Sequence, residues 1–253
     1  MPKKIILNNE KICQLYKTGF SSVKIAKEFK ISKPTVLRRL KENGIKMRRN
    51  CFKRQFDFDD NIFSEFTPES CYWAGFIAAD GCISNGTLSI ELNIKDEIQL
   101  IKFCEFLGRK PHFYYRERRG HKYCHLGIRS KQVINDLKNN FNIIPNKTLI
   151  LEAPHRIPNC LIRYYISGYF DGDGSISSSE NNYRLVFVSG NIEILKWIKR
   201  SIKESVSVGN PKIQTRKTNC FCLEFKGNGQ VPVIMNWMKD LKIYNLKRKN
   251  INN

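Results

Sequence analysis

Two segments of this chain, WAGFIAADGCIS (73–84) and ISGYFDGDGSIS (166–177), are versions of one another, and a repeat on this scale predicts two similar bodies in one polypeptide. Each reads as a short apolar helix with small residues four apart, Gly75 and Ala79 in the first and Gly168 and Gly172 in the second. Each ends in Asp-Gly and runs into a strand-like stretch. The downstream order of elements repeats as well. Residues 82–94 predict a hairpin, 96–107 a helix, 110–129 a hairpin and 130–140 a helix. Residues 174–189, 191–205, 211–227 and 229–240 predict the same series. Leu88–Asn93 and Phe221–Lys226 alternate apolar and polar residues, as strands with one buried face do. Leu185–Val188 is apolar on both faces, which leaves its register open. The expected fold class is α+β: a duplicated, pseudosymmetric αββαββα body.

Small residues at i and i+4 let two helix backbones approach closely. The two repeated helices would then pack at a pseudo-twofold axis, and their last side chains, Asp80 and Asp173, would meet at one end. A carboxylate at a helix C-terminus opposes the helix dipole, at a cost of about 0.3–1 kcal/mol. A shared divalent cation would offset that cost. Paired carboxylates holding Mg²⁺, or another divalent cation such as Mn²⁺, suit phosphodiester hydrolysis: the metal polarises the phosphate, acidifies bound water and stabilises the leaving oxygen. A single Asp-Gly after a helix is an ordinary strand-entry turn; two with matching surroundings are not. An EF-hand over Asp171–Ser175 fails, because Ile176 stands where that loop needs glycine.

Charge points to the same chemistry. Lys and Arg number 44 against 23 Asp and Glu, a net charge of +21. Such an excess selects a polyanion partner, because each neutralised phosphate releases a condensed counterion. Residues 1–55 alone hold 16 Lys/Arg and 3 acids. Within them, residues 8–43 predict three short helices. Ile12, Leu15 and Tyr16 mark the first, ended at Gly19; Val23, Ile25, Ala26 and Phe29 mark the second. Ser32 caps the third, with Pro34 in its first turn, Val36, Leu37 and Leu40 inward and Gly44 past its end. That is the layout of a helix-turn-helix. Lys33, Thr35, Arg38 and Arg39 lie on the outer side of the third helix, the mixture a groove-lying helix uses. The stretch GFSSVKIAKEFKISKPTVLRRLKENGI resembles the DNA-binding domain of resolvases and invertases. The expected organisation is a helix-turn-helix domain over 1–50, a basic linker over 51–66, and two halves over 67–152 and 153–253. Arg48 and Arg49, at the approach to the linker, would follow a phosphate backbone.

Other classes find less support. The nine cysteines form no C-x-x-C pair and are odd in number, so reduced thiols fit better than zinc or disulfides. No apolar run approaches the ~18 residues of a membrane span, and no membrane partner is expected. No P-loop or GxGxxG fingerprint is present. The expected compartment is the cytoplasm, associated with the nucleoid, with an organelle also open.

Both repeated segments resemble the dodecapeptide motif of LAGLIDADG homing endonucleases, and the resemblance covers residues 67–253. Two motifs in one chain resemble the monomeric, pseudosymmetric members. The resemblance implies a saddle of two antiparallel sheets in the DNA major groove, and metal-dependent cleavage of both strands with short 3′ overhangs. It puts the metal on Asp80 and Asp173, helped by the backbone of Gly81 and Gly174. The sixth motif position is acidic only in the second copy, Asp171, with Ala78 in the first. The resemblance also implies a basic residue beside each scissile phosphate: Lys147 in the first half and Lys249 in the second, with Lys247 a close alternative. Base reading would come from outward positions on the strands: Ser84, Asn85, Ser89, Glu91 and Asn93, then Arg116, Arg118, His125 and Arg129. In the second half they are Ser177, Asn182, Arg184, Lys212, Gln214 and Arg216. The function implied is a sequence-specific DNA endonuclease acting as a monomer on double-stranded DNA. A transcription regulator on an inactive endonuclease scaffold is the main alternative; an intron RNA maturase, which would add an RNA partner, is the second. An intein is disfavoured by the initial Met and the absence of a terminal His-Asn.

Overall fold

The computed structural model describes residues 9–47, 56–179, 182–216, 220–239 and 249. The chain divides into two compact units, residues 1–55 and 56–253.

The first unit is three helices, α1 (Asn9–Lys17), α2 (Ser22–Glu28) and α3 (Lys33–Glu42). Ile12, Tyr16, Ile25, Ala26, Val36 and Leu40 are buried together, two from each helix. Ser21 and Ser32 cap α2 and α3 by accepting from Lys24 N and Thr35 N. Gly44 takes the left-handed conformation past α3 (φ 66°), which a residue without Cβ adopts freely. The α2–α3 connection is the tight turn Phe29–Ser32. Arg48 and Arg49 lie outside the described residues.

The second unit repeats one series twice. In the first half come α4 (Pro68–Asp80), β1 (Gly81–Ser84), β2 (Thr87–Asn93), α5 (Glu97–Phe106), β3 (Tyr114–Arg118), β4 (His121–Ile128) and α6 (Lys131–Phe141). In the second come α7 (Ile162–Asp173), β5 (Gly174–Ser179), β6 (Asn182–Ser189), α8 (Ile192–Ser205), β7 (Ile213–Arg216), β8 (Cys220–Lys226) and α9 (Gln230–Met238). The sheets have the same antiparallel order, β1-β2-β4-β3 and β5-β6-β8-β7. The α+β duplication read from the sequence is the fold.

Local chemistry explains the elements. A reciprocal cap opens α4: Thr67 Oγ1 accepts from Ser70 N, and Ser70 Oγ accepts from Thr67 N, with Pro68 in the first turn. Asn85-Gly86 and Arg119-Gly120, all at positive φ, make the two-residue turns that join β1 to β2 and β3 to β4. In the first sheet Ile83, Leu88, Ile90, Leu92, Leu126 and Ile128 face the helices. The open register of Leu185–Val188 is settled by pairing. Leu185 and Phe187 lie opposite Phe225 and Leu223 on the core side, so Val186 and Val188 share the other face with Glu224 and Cys222. This half therefore carries apolar residues on both faces, which is why the segment does not alternate.

The linker expected over 51–66 is corrected. Residues 51–55 lie outside the described ones, but 56–66 belong to the body of the second unit. Phe63 is fully buried against Phe106 and Phe141, and Phe58, Ile62 and Phe66 pack around the core. Asp60 accepts from Ser130 Oγ, and Asp59 N donates to Leu107 O. The acids that made the stretch look like a linker sit at hydrogen bonds to distant parts of the first half, while its aromatics supply core. Phe63→Ala is expected to cost about 3–5 kcal/mol, read as a lower urea midpoint; an unchanged midpoint would return the segment to a linker role.

Candidate metal centre and nucleic-acid interface

The centre of the second unit is the α4–α7 pair, the most extensively packed helices in it. A Cβ placed on Gly75 would stand 1.9 Å from Tyr165 O, and one on Gly168 would stand 1.9 Å from Tyr72 O. The two backbones therefore touch, and each glycine makes room for the opposite half. Further along, a Cβ on Gly172 would meet Ala79 Cβ at 2.3 Å and Asp80 Oδ2 at 3.4 Å. The Asp80 carboxylate thus lies against the last turn of α7. Gly81 and Gly174 follow the helices in extended conformation, donating to Ile77 O and Phe170 O. Any Cβ at either would come within 2.6 Å of those same carbonyls.

Two lysines reach this end from outside the helices. Lys147, in a short 3-10 turn over Lys147–Leu149, donates from Nζ to Ala79 O at 3.3 Å. Lys249 Nζ donates to Phe170 O, Asp171 O and Gly172 O at 2.8, 2.6 and 2.9 Å. Both residues are buried. The helix-end carbonyls that oppose Asp80 and Asp173 are therefore partly offset by the two ammonium groups. Lys247 lies outside the described residues.

The electrostatics tie these groups together. Burial pushes the Asp173 carboxyl above its ordinary value, while Lys147 and then Lys249 pull it back. Burial lowers the Lys147 ammonium, while Asp173 and Asp80 raise it. The buried Tyr169 hydroxyl, which donates to Val188 O at 2.9 Å, is pushed up first by burial and then by Asp173, with Asp80 a smaller influence. Among the described residues no cluster of three or more His, Cys, Asp or Glu gathers here. The donors are two carboxylates and backbone oxygens, all hard. That set fits a cation such as Mg²⁺, which takes one or two carboxylates and completes its shell with water and substrate phosphate. A carboxyl held up by burial is also one that a divalent cation would ionise.

The exposed faces of the sheets collect most of the predicted base readers. In the first sheet Glu91 lies opposite His125, and His125 opposite Tyr114; Asn93 lies opposite Tyr123, and Tyr123 opposite Arg116. Ser84 and Ser89 share that face, Ser89 donating to Cys82 O at 3.3 Å. Glu91 pairs with Arg116 at 3.6 Å and with Arg118. Burial, then Arg116, holds the His125 imidazole below its ordinary value. In the second sheet Ser177, Arg184 and Lys226 form one row; Gln214 lies opposite Cys222, and Arg216 opposite Cys220. Asn182 is exposed on the same face, opposite Ser179. Three assigned strand positions are corrected. Asn85 occupies the β1–β2 turn, where positive φ favours asparagine; Arg129 follows the end of β4; Lys212 precedes β7. In the first unit Lys33 is exposed at the start of α3, Thr35 Oγ1 lies 2.8 Å from Ser32 Oγ, and Arg38 and Arg39 both pair with Glu42, at 3.8 and 3.3 Å.

Two features escaped the sequence reading. Glu224, nearly buried, pairs with Arg184 and with Lys226 at 3.3 Å; its two-residue spacing from Lys226 on a strand was the available signal. The second is a buried chain in which Gln99 Nε2 donates to the Tyr72 hydroxyl and that hydroxyl donates to Asp171 Oδ2, each at 2.6 Å. No local pattern joins residues so far apart in sequence.

Neither a protein-family model nor a curated protein matches the sequence. Solved structures resemble the fold. The homing endonuclease I-WcaI bound to its DNA recognition sequence has a TM-score of 0.51 at 16% identity, over 83% of this chain and 95% of that one. The meganuclease I-SmaMI bound to uncleavable DNA has a TM-score of 0.49 at 12% identity, over 72% and 86%. The N-terminal LAGLIDADG domain of DUF199/WhiA has 0.48 at 14%, over 78% and 94%. Duplicated sheets, paired central helices and the likeness in architecture to I-WcaI give the chain the fold that the LAGLIDADG resemblance implies, with both motif helices on one polypeptide.

Proposed function

We propose that this protein is a sequence-specific DNA endonuclease that hydrolyses one phosphodiester bond in each strand of a duplex held against the exposed faces of its two sheets. The observation that carries the reading is the meeting of α4 with α7 through Gly75 and Gly168, which sets Asp80 and Asp173 at one end, with Lys147 in electrostatic reach of both. Asp80 and Asp173 would hold a divalent cation, joined by backbone oxygens of Gly81 and Gly174. When bound, that cation supplies Lewis acidity to the phosphate and acidifies an attacking water. The carboxylates orient the centre, and a lysine ammonium balances charge on a scissile phosphate. Arg116, Arg118, Arg184, Arg216, Gln214, Asn93 and Asn182 present the forked or amide groups that pair with guanine and adenine edges. Glu91 and Glu224 keep the arginines beside them from binding phosphate indiscriminately. Two carboxylates brought together at the joined helix ends favour the endonuclease reading over a regulator on an inactive scaffold.

The test is direct. The protein is incubated with a randomised duplex library, with Mg²⁺ and with chelator, and the ends are sequenced. Mg²⁺-dependent ends at one sequence support the reading; an uncut library overturns it.

The helical unit adds affinity by binding phosphates with α3. Replacing Lys33, Arg38 and Arg39 together by Ala is expected to weaken binding and flatten the log–log salt dependence by about 0.9 for each phosphate no longer neutralised. An unchanged slope would assign α3 a different partner.

A further inference from the structure

Tyr165 O lies against Gly75 as Tyr72 O lies against Gly168, so the two tyrosines are counterparts about the joint, each three residues before its own helix's glycine. Both are fully buried. Their hydroxyls are placed differently. The Tyr72 hydroxyl accepts from Gln99 Nε2 and donates to Asp171 Oδ2, each at 2.6 Å. The Tyr165 hydroxyl has no hydrogen-bond partner among the described residues. The repeat supplies the reason. Asp171 stands three residues after Gly168, and the residue three after Gly75 is Ala78, whose side chain has no acceptor. The bond from Tyr72 therefore crosses from the first half to α7 and ends two residues before Asp173. Gln99 stands behind it on α5, the helix that packs on β2. Burying a carboxyl is costly unless a donor of this kind meets it.

We propose that Tyr72 is a positioning residue for the cation centre: reaching across the joint, it holds Asp171, fixes the last turn of α7 and so sets the direction of Asp173. Asp171 serves this bond and is not a ligand of the cation. Two residues turn an α-helix through about 200°, so Asp171 and Asp173 leave α7 on nearly opposite sides, one toward Tyr72 in the buried joint and the other at the helix end. Tyr165, whose hydroxyl holds nothing in α4, has no such role. The effect on the cation rests on the endonuclease reading; the bond and its share of the stability do not.

The experiment compares the full chain as wild type, Tyr72→Phe, Tyr165→Phe and Asp171→Asn. Each protein is melted without metal. Each is then titrated with Mn²⁺ by electron paramagnetic resonance, bound to the duplex recovered from the library and well below every Tm. Tyr72→Phe keeps the ring and its edge contact with Trp73 but withdraws the donor from Asp171. It should melt about 5 °C lower and bind Mn²⁺ about tenfold more weakly, the factor one buried hydrogen bond supplies, with duplex affinity unchanged. Tyr165→Phe removes a hydroxyl that has no partner, so its Tm and Mn²⁺ affinity should match or exceed wild type. Asp171→Asn keeps an acceptor for Tyr72 and should bind Mn²⁺ within about threefold of wild type. Wild-type Mn²⁺ affinity in Tyr72→Phe overturns the proposal and leaves the endonuclease reading intact. So does equal damage by Tyr165→Phe, because the bond to Asp171 would then not be the cause. So does loss of Mn²⁺ from Asp171→Asn at wild-type Tm, because Asp171 would then be a ligand. If Tyr72→Phe does not fold, Mn²⁺ retained by Asp171→Asn supports the proposal and Mn²⁺ lost from it overturns it. A wild-type complex that binds no Mn²⁺ and cuts no DNA overturns the endonuclease reading and this proposal with it.

Discussion

Asp80→Asn and Asp173→Asn should each abolish double-strand cutting while leaving DNA binding in place. The expected loss is about a thousandfold or more, the rate equivalent of several kcal/mol of transition-state stabilisation by a bound cation. The substitution keeps shape and removes charge at the ends of α4 and α7, where Asp80 lies against the last turn of α7. The fold should not suffer. Burial holds Asp173 above the ordinary carboxyl value, so its ionised form is the disfavoured one in the folded state. A raised carboxyl binds more protons folded than unfolded, so its contribution to stability falls as pH rises from the ordinary carboxyl value through the raised one. The metal-free Asp173→Asn protein should therefore melt at or above the wild-type Tm at neutral pH. Gel shift, strand-cutting assay and melting curve separate the three statements, and ordinary cutting by either variant would remove that acid from the chemistry.

Gly168→Val should prevent folding of the second unit. A single Cβ on Gly168 would stand 1.9 Å from Tyr72 O and 2.9 Å from Phe76 N, both backbone atoms of a buried helix. Neither atom can swing aside as a side chain does, so relief requires the two motif helices to part. Overpacking by a methylene typically costs about 1–3 kcal/mol where neighbours can repack; here they cannot, and the pair of helices is the joint between the halves. The same result is expected for Gly75→Val, which meets Tyr165 O. Far-UV and near-UV circular dichroism of the purified variants provide the test, and a native spectrum with a cooperative transition would show that the helices are less closely joined than these distances state.

The close helix packing was readable from Gly75, Ala79, Gly168 and Gly172, because small residues four apart fall on one helix face whatever surrounds them. The duplicated order of strands and helices was readable because period and turn chemistry are local: Asn85-Gly86 specifies its turn in two residues. Residues 56–66 were misread for a physical reason. Phe58, Phe63 and Phe66 have no helical or strand period, and their burial depends on α5 and α6, which arrive later in the chain. Leu185–Val188 was undecidable locally because Val186 and Val188 are apolar on the face of the sheet away from the core; only the pairing with Phe225 and Leu223 fixes the register. The positions of Asp80 and Asp173 followed from the repeat. The different grips of Lys147 and Lys249 did not, because one or three hydrogen bonds to a helix end depend on where the distant chain returns.

Asp80 and Asp173 are expected to hold a divalent cation against DNA. The most direct measurement is an electron paramagnetic resonance titration of Mn²⁺ into the protein bound to its target duplex, comparing wild type with a protein carrying both Asp80→Asn and Asp173→Asn. Tightly bound Mn²⁺ is expected in the wild-type complex, and its loss in the double variant, with the duplex still bound. Equal Mn²⁺ binding by the two proteins would contradict it.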